Sequence, residues 1–142
     1  MRVITNIRIM GNIRITNSTK IIYPELSYKV IGAAFKVYNN LGWGHREVYY
    51  QRALESELKE LGLNFEREKS VSLVYNDKPI GRCVMDFVVD NKVVLELKVI
   101  PRLGYTHIRQ VYDYLKSTKM KLAILIYFTK EGVKYRRVVA GF

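Results

Sequence analysis

The sequence has one cysteine, Cys83, two histidines, and no apolar run approaching the ~18 to 20 residues that a membrane span requires. A single cysteine excludes an internal disulfide and a cysteine-based zinc site, and it fits a reducing cytoplasm. His45 and His107 have no third ligand near them in the sequence, so a zinc centre is not expected either. Arg2, Arg8 and Arg14 interrupt every apolar stretch at the N-terminus, which argues against a signal peptide. Negative charge is also scarce: 13 Asp and Glu stand against 24 Lys and Arg, a net charge of +11. The 142 residues are 49% hydrophobic and 26% charged, the balance of a globular chain with room for one sizeable core.

The positive excess has two readings, a well-solvated basic surface or a polyanionic partner. Its distribution favours the partner. Between Lys92 and Lys121 lie Lys92, Lys98, Arg102, Arg109, Lys116, Lys119 and Lys121, against only Glu96 and Asp113. Such a cluster can neutralise phosphates and release their counterions.

Residues 1–23 contain no acidic residue and repeat Asn-Ile-Arg-Ile at 6–9 and 12–15 around Met10-Gly11. They form either a basic arm or a small hairpin, set apart from a domain over residues 24–142. Pro24 suits a first helical turn, and Leu26, Val30, Ala33, Ala34, Val37 and Leu41 recur at helical spacing. Gly42-Trp43-Gly44 breaks this helix. A second helix is predicted over 46–61, with Tyr50, Leu54, Leu58 and Leu61 on its inward side and Gly62 as the stop. Three strands follow, at 65–75, 80–89 and 92–100, joined by turns at Asn76-Asp77 and Asp90-Asn91. Thr106 is the expected N-cap of a helix through Lys116. The apolar run Leu122–Phe128 reads as a strand covered on both faces, and Val133–Val139 as a last strand. The order ααβββαββ predicts one α/β domain with a central mixed sheet flanked by helices.

Chemistry is concentrated in the middle strands. Alternation puts Glu96 and Lys98 on one face of their strand, between Val94 and Ile100, while Asp86 is embedded in Val84-Met85-Asp86-Phe87-Val88. These side chains are either the solvated face of a half-buried strand or the acidic pair and lysine that a hard cation and a phosphate need. Register decides between them. A two-residue turn at Asp90-Asn91 in a regular hairpin would set Asp86 opposite Leu95, facing away from Glu96. An odd-length connection or a bulge would bring the two carboxylates together.

The arrangement Asp86…Glu96-Leu97-Lys98 followed by a helix resembles the PD-(D/E)XK nuclease superfamily, with its restriction-endonuclease-like fold. Gly44-His45-Arg46-Glu47-Val48-Tyr49-Tyr50 is similar to the signature of that superfamily's GxxExxY family. Gln110-Val111-Tyr112-Asp113-Tyr114 is similar to the QxxxY motif of RecB-type exonucleases. The resemblance covers residues 21–139, and departs from the pattern only in having Met85, not proline, before Asp86. It implies Mg²⁺ or Mn²⁺ held by Asp86 and Glu96, with the Leu97 carbonyl as a further ligand. It also implies that Lys98 orients the attacking water and offsets charge developing at phosphorus. Gln110 and Tyr114, four apart on one helical face, would hold a phosphate or position Lys98; otherwise they are a hydrogen-bonded glutamine and a packed tyrosine. Glu47 sits in a first turn, where an anion complements the helix dipole, but it also shares the inward face with Tyr50 and Leu54 and would reach the cation directly or through water. Trp43 is expected to pack, and His107, three before Gln110, lies within reach of a substrate.

The expected activity is metal-dependent hydrolysis of phosphodiester bonds in nucleic acid, DNA in the first instance, with no membrane partner and with a homodimer compatible. The alternatives are a binding module that keeps the fold without cutting, and a regulatory subunit whose basic face meets an acidic protein.

Overall fold

The computed structural model describes residues 6–9 and 13–16 as backbone and residues 22–141 in full. In chain order the elements are β1 (Asn6–Ile9), β2 (Ile13–Thr16), α1 (Pro24–Leu41), α2 (Glu47–Glu60), β3 (Phe65–Tyr75), β4 (Lys78–Val89), β5 (Val93–Val99), α3 (Tyr105–Thr118), β6 (Leu122–Thr129) and β7 (Gly132–Ala140). From Pro24 onward this is the ααβββαββ order that the hydrophobic spacing predicts. The strands make one mixed sheet in the order β1-β2-β7-β6-β5-β4-β3. Among the described strands only β5 and β6 are parallel, and α3 is the crossover between them. β1 and β2 pair antiparallel, and β2 pairs with β7. The Met10-Gly11 connection lies outside the described residues.

Each face of the sheet is covered by helices, which is why β6 is buried along its whole length. On one face α1 and α2 pack Val30, Ala34, Val37, Tyr50, Leu54 and Leu58 against Phe87, Leu95, Leu97, Ile124, Ile126 and Phe128. On the other, α3 packs Val111, Tyr114 and Leu115 against Met85, Val88, Val94, Leu125 and Val138. Among the described residues no helix is long and apolar enough to cross a membrane.

Several local expectations are corrected. α3 begins at Tyr105 with Gly104 as its N-cap, so Thr106 lies inside the first turn. The Gly104 N–H is instead satisfied by His107 Nδ1 at 3.0 Å. That bond gives His107 a local structural task. Trp43 belongs to neither core: 44% exposed, it stands on the loop between α1 and α2. Leu61 is likewise exposed, because α2 ends at Glu60 and Leu61 has become its C-cap. β4 begins at Lys78, two residues earlier than the turn chemistry suggested, since Asn76 and Asp77 take both positive-φ positions of a tight turn.

The β3–β4 hairpin changes sides partway along. In a regular strand Met85 and Phe87 would share a face, yet Met85 packs in the α3 core and Phe87 in the α1/α2 core. On β3, Phe65 packs with the α1/α2 core, whereas Val71 and Leu73 pack with α3. The reversal occurs at one level. The ladder pairs Arg67 with Phe87 and Lys69 with Met85, skipping Glu68 and Asp86, and Glu68 has φ 51°. A non-glycine residue at positive φ redirects the side chains that follow it, and here it turns both strands together.

Candidate active site

Asp86 stands at this irregularity, where β4 and β5 also part. Their ladder runs from Val89↔Val93 through Phe87↔Leu95 and stops there. Three residues, Asp90, Asn91 and Lys92, therefore join the strands, the first two at positive φ. This is the odd-length connection that brings Asp86 level with Glu96. Beyond Leu95 side chains replace the ladder. The Asp86 N–H donates to Glu96 Oε1 at 3.0 Å, and the Leu97 N–H donates to Asp86 Oδ2 at 2.7 Å. The Asp86 carbonyl accepts from Arg67 Nε at 3.2 Å, so both backbone groups of Asp86 are paired with side chains.

Glu96 is 3% exposed, which rules out a solvated strand face. Burial, and then the negative charge of Asp86, push its carboxyl up to about 8, against the opposing effects of the Asp86 N–H and Lys98. Lys98 Nζ lies 3.5 Å from Glu96 Oε2, and the Lys98 side chain remains partly open to solvent.

Glu47 approaches the same corner from α2, and the chain around it explains the spacing Gly44…Glu47…Tyr50. Gly44 has φ 101°, a conformation that leads into the helix and disfavours side chains. Tyr50 is fully buried, stacked on Phe128 with ring centroids 4.3 Å apart, and its hydroxyl donates to the Gly42 carbonyl. The first turn of α2 is thereby fixed at both ends. Glu47 is half-buried, and its carboxyl is raised by burial, then lowered by Lys98, raised by Asp86 and lowered by the backbone N–H of Val99. It faces the Asp86–Lys98 corner.

The α3 residues are placed differently. Tyr114 is 1% exposed, inside the α3 core, where burial raises its hydroxyl pKa. A side chain so enclosed packs, and does not reach a substrate. Gln110 is half-buried, and its backbone carbonyl accepts from the Cys83 thiol at 3.2 Å.

The match to known families agrees with this geometry. The family model of the PD-(D/E)XK nuclease superfamily matches residues 24–138. The chain belongs to the PD-(D/E)XK nuclease superfamily. No curated protein sequence matches it. Among solved structures, the crystal structure of SSO0001 is similar with a TM-score of 0.53 at 20% identity, over 84% of this chain and 58% of that one, a likeness of fold. The chain thus spans little more than half of that protein. An alkaline exonuclease (LHK-Exo) from Laribacter hongkongensis aligns with a TM-score of 0.47 at 10% identity, over 86% of this chain and 72% of that one.

PD-(D/E)XK nucleases generally depend on a divalent metal, and the donor set here is consistent with one. Asp86 and Glu96 place two carboxylates side by side near Lys98, and Glu47 faces them from α2. Among the described residues no group of three or more His, Cys, Asp or Glu side chains is placed to hold a metal ion. Two carboxylates with the remaining positions left to water and phosphate is the usual protein share of a Mg²⁺ site.

Sequence reasoning missed two residues at this site, Gln51 and Arg67. Gln51 Nε2 lies 3.2 Å from Asp86 Oδ1, and Arg67 touches both Gln51 and the Asp86 backbone. A signal was present: Glu47, Gln51 and Glu55 form a polar line at four-residue spacing beside the apolar face of α2.

Proposed function

We propose that this domain is a Mg²⁺- or Mn²⁺-dependent nuclease of the GxxExxY branch that hydrolyses phosphodiester bonds in nucleic acid, with DNA as its substrate. The observation that carries this reading is the placement of Asp86 and Glu96 side by side where β4 and β5 separate, with Lys98 beside Glu96. Asp86, Glu96 and the Leu97 carbonyl would hold the cation, and Glu47 would complete the site directly or through a water. When bound, the cation lowers the pKa of a water and polarises the scissile phosphate. Lys98 orients the attacking water and stabilises charge developing on the phosphate oxygens. Gln110 contributes to holding the phosphate. Tyr114 supports the helix that carries Gln110 from within the core.

The basic surface supports a polyanionic substrate. A groove of about 510 Å³ between α3 and the outer half of the β3–β4 hairpin is lined by Lys116, Lys119 and Arg109, the last paired with Asp113, beside Leu73 and Ile80. The test is cleavage of linear and circular, single- and double-stranded substrates with Mg²⁺, with Mn²⁺ or with EDTA. Product in both metals and none in EDTA is expected. Duplex affinity should fall with salt by about 0.9 in log K per log salt for each phosphate contacted. Affinity that stays flat between low and physiological salt, or metal-independent cleavage, would contradict the proposal.

Glu47 has its own test. Glu47→Gln keeps size and hydrogen bonding but removes a charge. As a ligand change it should weaken Mn²⁺ binding and cleavage about tenfold with little loss of stability. A Gln variant that binds Mn²⁺ and cleaves like the parent would return Glu47 to the helix dipole, a contribution of ~0.3 to 1 kcal/mol.

A further inference from the structure

We infer that Gln51 and Arg67 form a positioning relay that orients the carboxylates of Asp86 and Glu47 for the cation, a role that rests on the metal-dependent nuclease reading. Gln51 lies one turn after Glu47 on α2. Its Nε2 is 3.2 Å from Asp86 Oδ1 and 3.5 Å from Glu47 Oε2, and its Oε1 is 3.4 Å from Arg67 Nη2. The two ends of an amide are chemically distinct, and a guanidinium only donates. The Gln51 oxygen must therefore face Arg67, which leaves the NH₂ group directed at the two carboxylates. Asp86 is then gripped at both oxygens, Oδ1 by Gln51 and Oδ2 by the Leu97 N–H. Gln51 also places a donor between two like charges.

Arg67 is held well enough to impose that orientation. Its Nη1 lies 2.6 Å from Glu55 Oε1, its Nε 3.2 Å from the Asp86 carbonyl, and its guanidinium sits 4.5 Å over the Phe87 ring. The Asp86 carbonyl is within its reach because the ladder skips Glu68 and Asp86. The same irregularity thus presents the Asp86 carboxylate to the site and its carbonyl to the residue that orients its partner. Such outer contacts fix ligand geometry before the ion arrives, and losing one weakens metal affinity by roughly 10- to 100-fold.

The alternative is a strut joining α2 to β3 with no bearing on the ion, and Mn²⁺ affinity separates the two. Calorimetric titration of the metal-free protein with Mn²⁺ would compare the parent with Gln51→Leu, Arg67→Met, the double variant and Asp86→Ala. Gln51→Leu is expected to weaken Mn²⁺ binding about tenfold while the thermal midpoint of the metal-free protein stays close to the parent's. Arg67→Met should weaken it in the same direction, and the double variant should be no weaker than Gln51→Leu, because the two residues act in series. Parent-like affinity in Gln51→Leu, with Asp86→Ala having lost Mn²⁺, would overturn the relay and leave the nuclease reading standing. Parent-like affinity in Asp86→Ala would remove the metal site itself. An affinity loss that tracks a lowered midpoint would identify a strut and also overturn the relay. If Gln51→Leu does not fold by circular dichroism, Arg67→Met decides alone by the same criteria.

Discussion

Lys98→Ala is expected to slow phosphodiester cleavage by about 10²- to 10³-fold while leaving the protein folded. The Lys98 side chain is only partly buried, and the Lys98 contact that places it in the site is a 3.5 Å approach to Glu96 Oε2. Its removal leaves no cavity in either core. In the proposed site the substitution would remove a positive charge beside the reacting phosphate, a group that would bind the transition state more strongly than the ground state. Deleting one such preorganised contact has an effect of this size in other hydrolases. A second effect acts in the same direction: Lys98 lowers the pKa of Glu96, so without it Glu96 holds its proton more firmly and competes with the cation. Single-turnover cleavage across a Mg²⁺ titration separates the two effects, and a thermal melt checks the fold. A variant that cuts as fast as the parent would exclude Lys98 from the chemistry.

The second large effect concerns Glu96→Gln, for which stability and function should move in opposite directions. In the metal-free protein the Glu96 carboxyl titrates near 8, against an ordinary value of 4.5. The folded chain therefore holds a proton that the unfolded chain has released between those limits. Stability associated with this group is present at low pH and is lost as pH rises through about 8. The melting temperature of the metal-free parent should fall over that interval. Glutamine carries no charge, accepts from the Asp86 N–H as Glu96 does, and can donate to the Asp86 carboxylate. The variant should show a flatter pH profile and melt above the parent near pH 8.5. Mn²⁺ should restore the parent's stability there, since the cation takes the place of the proton, and should have no such effect on the variant, which would also fail to cleave. Thermal melts from pH 5 to 9, with and without Mn²⁺, check every part of this. A parent profile that is flat across pH 8 would refute the titration, and Mn²⁺ stabilisation of the variant would refute Glu96 as a ligand.

Much of this fold was legible in local pattern. The apolar run of β6, the alternation of β5, the helical spacing in α1 and α2, and the Asn-Asp and Asp-Asn turns depend on neighbours a few residues apart. Near-neighbour physics is the part of folding that a one-dimensional pattern records. The Asp86, Glu96 and Lys98 grouping was visible for the same reason, because charged residues inside β-type apolar stretches stand out wherever the strands are placed.

Pairing of distant segments decided the rest. A three-residue connection and a two-residue one contain the same Asp90-Asn91, yet they put Asp86 on opposite faces, because strand side chains alternate with period two. The reversal of the β3–β4 hairpin at Glu68 and Asp86 has no counterpart in hydrophobic spacing; it exists because the two halves of the hairpin serve different cores. Tyr114 entered the α3 core and Trp43 remained outside because burial depends on what packs against a side chain, not on the residue type. Gln51 and Arg67, 16 residues apart in the chain, became partners only when α2 was laid against the sheet beside Asp86. The sequence by itself determined the elements from Pro24 onward and singled out Asp86, Glu96 and Lys98 as candidates for chemistry. Tertiary structure determined which of them meet, because register and packing are set by contacts between segments that no local pattern encodes.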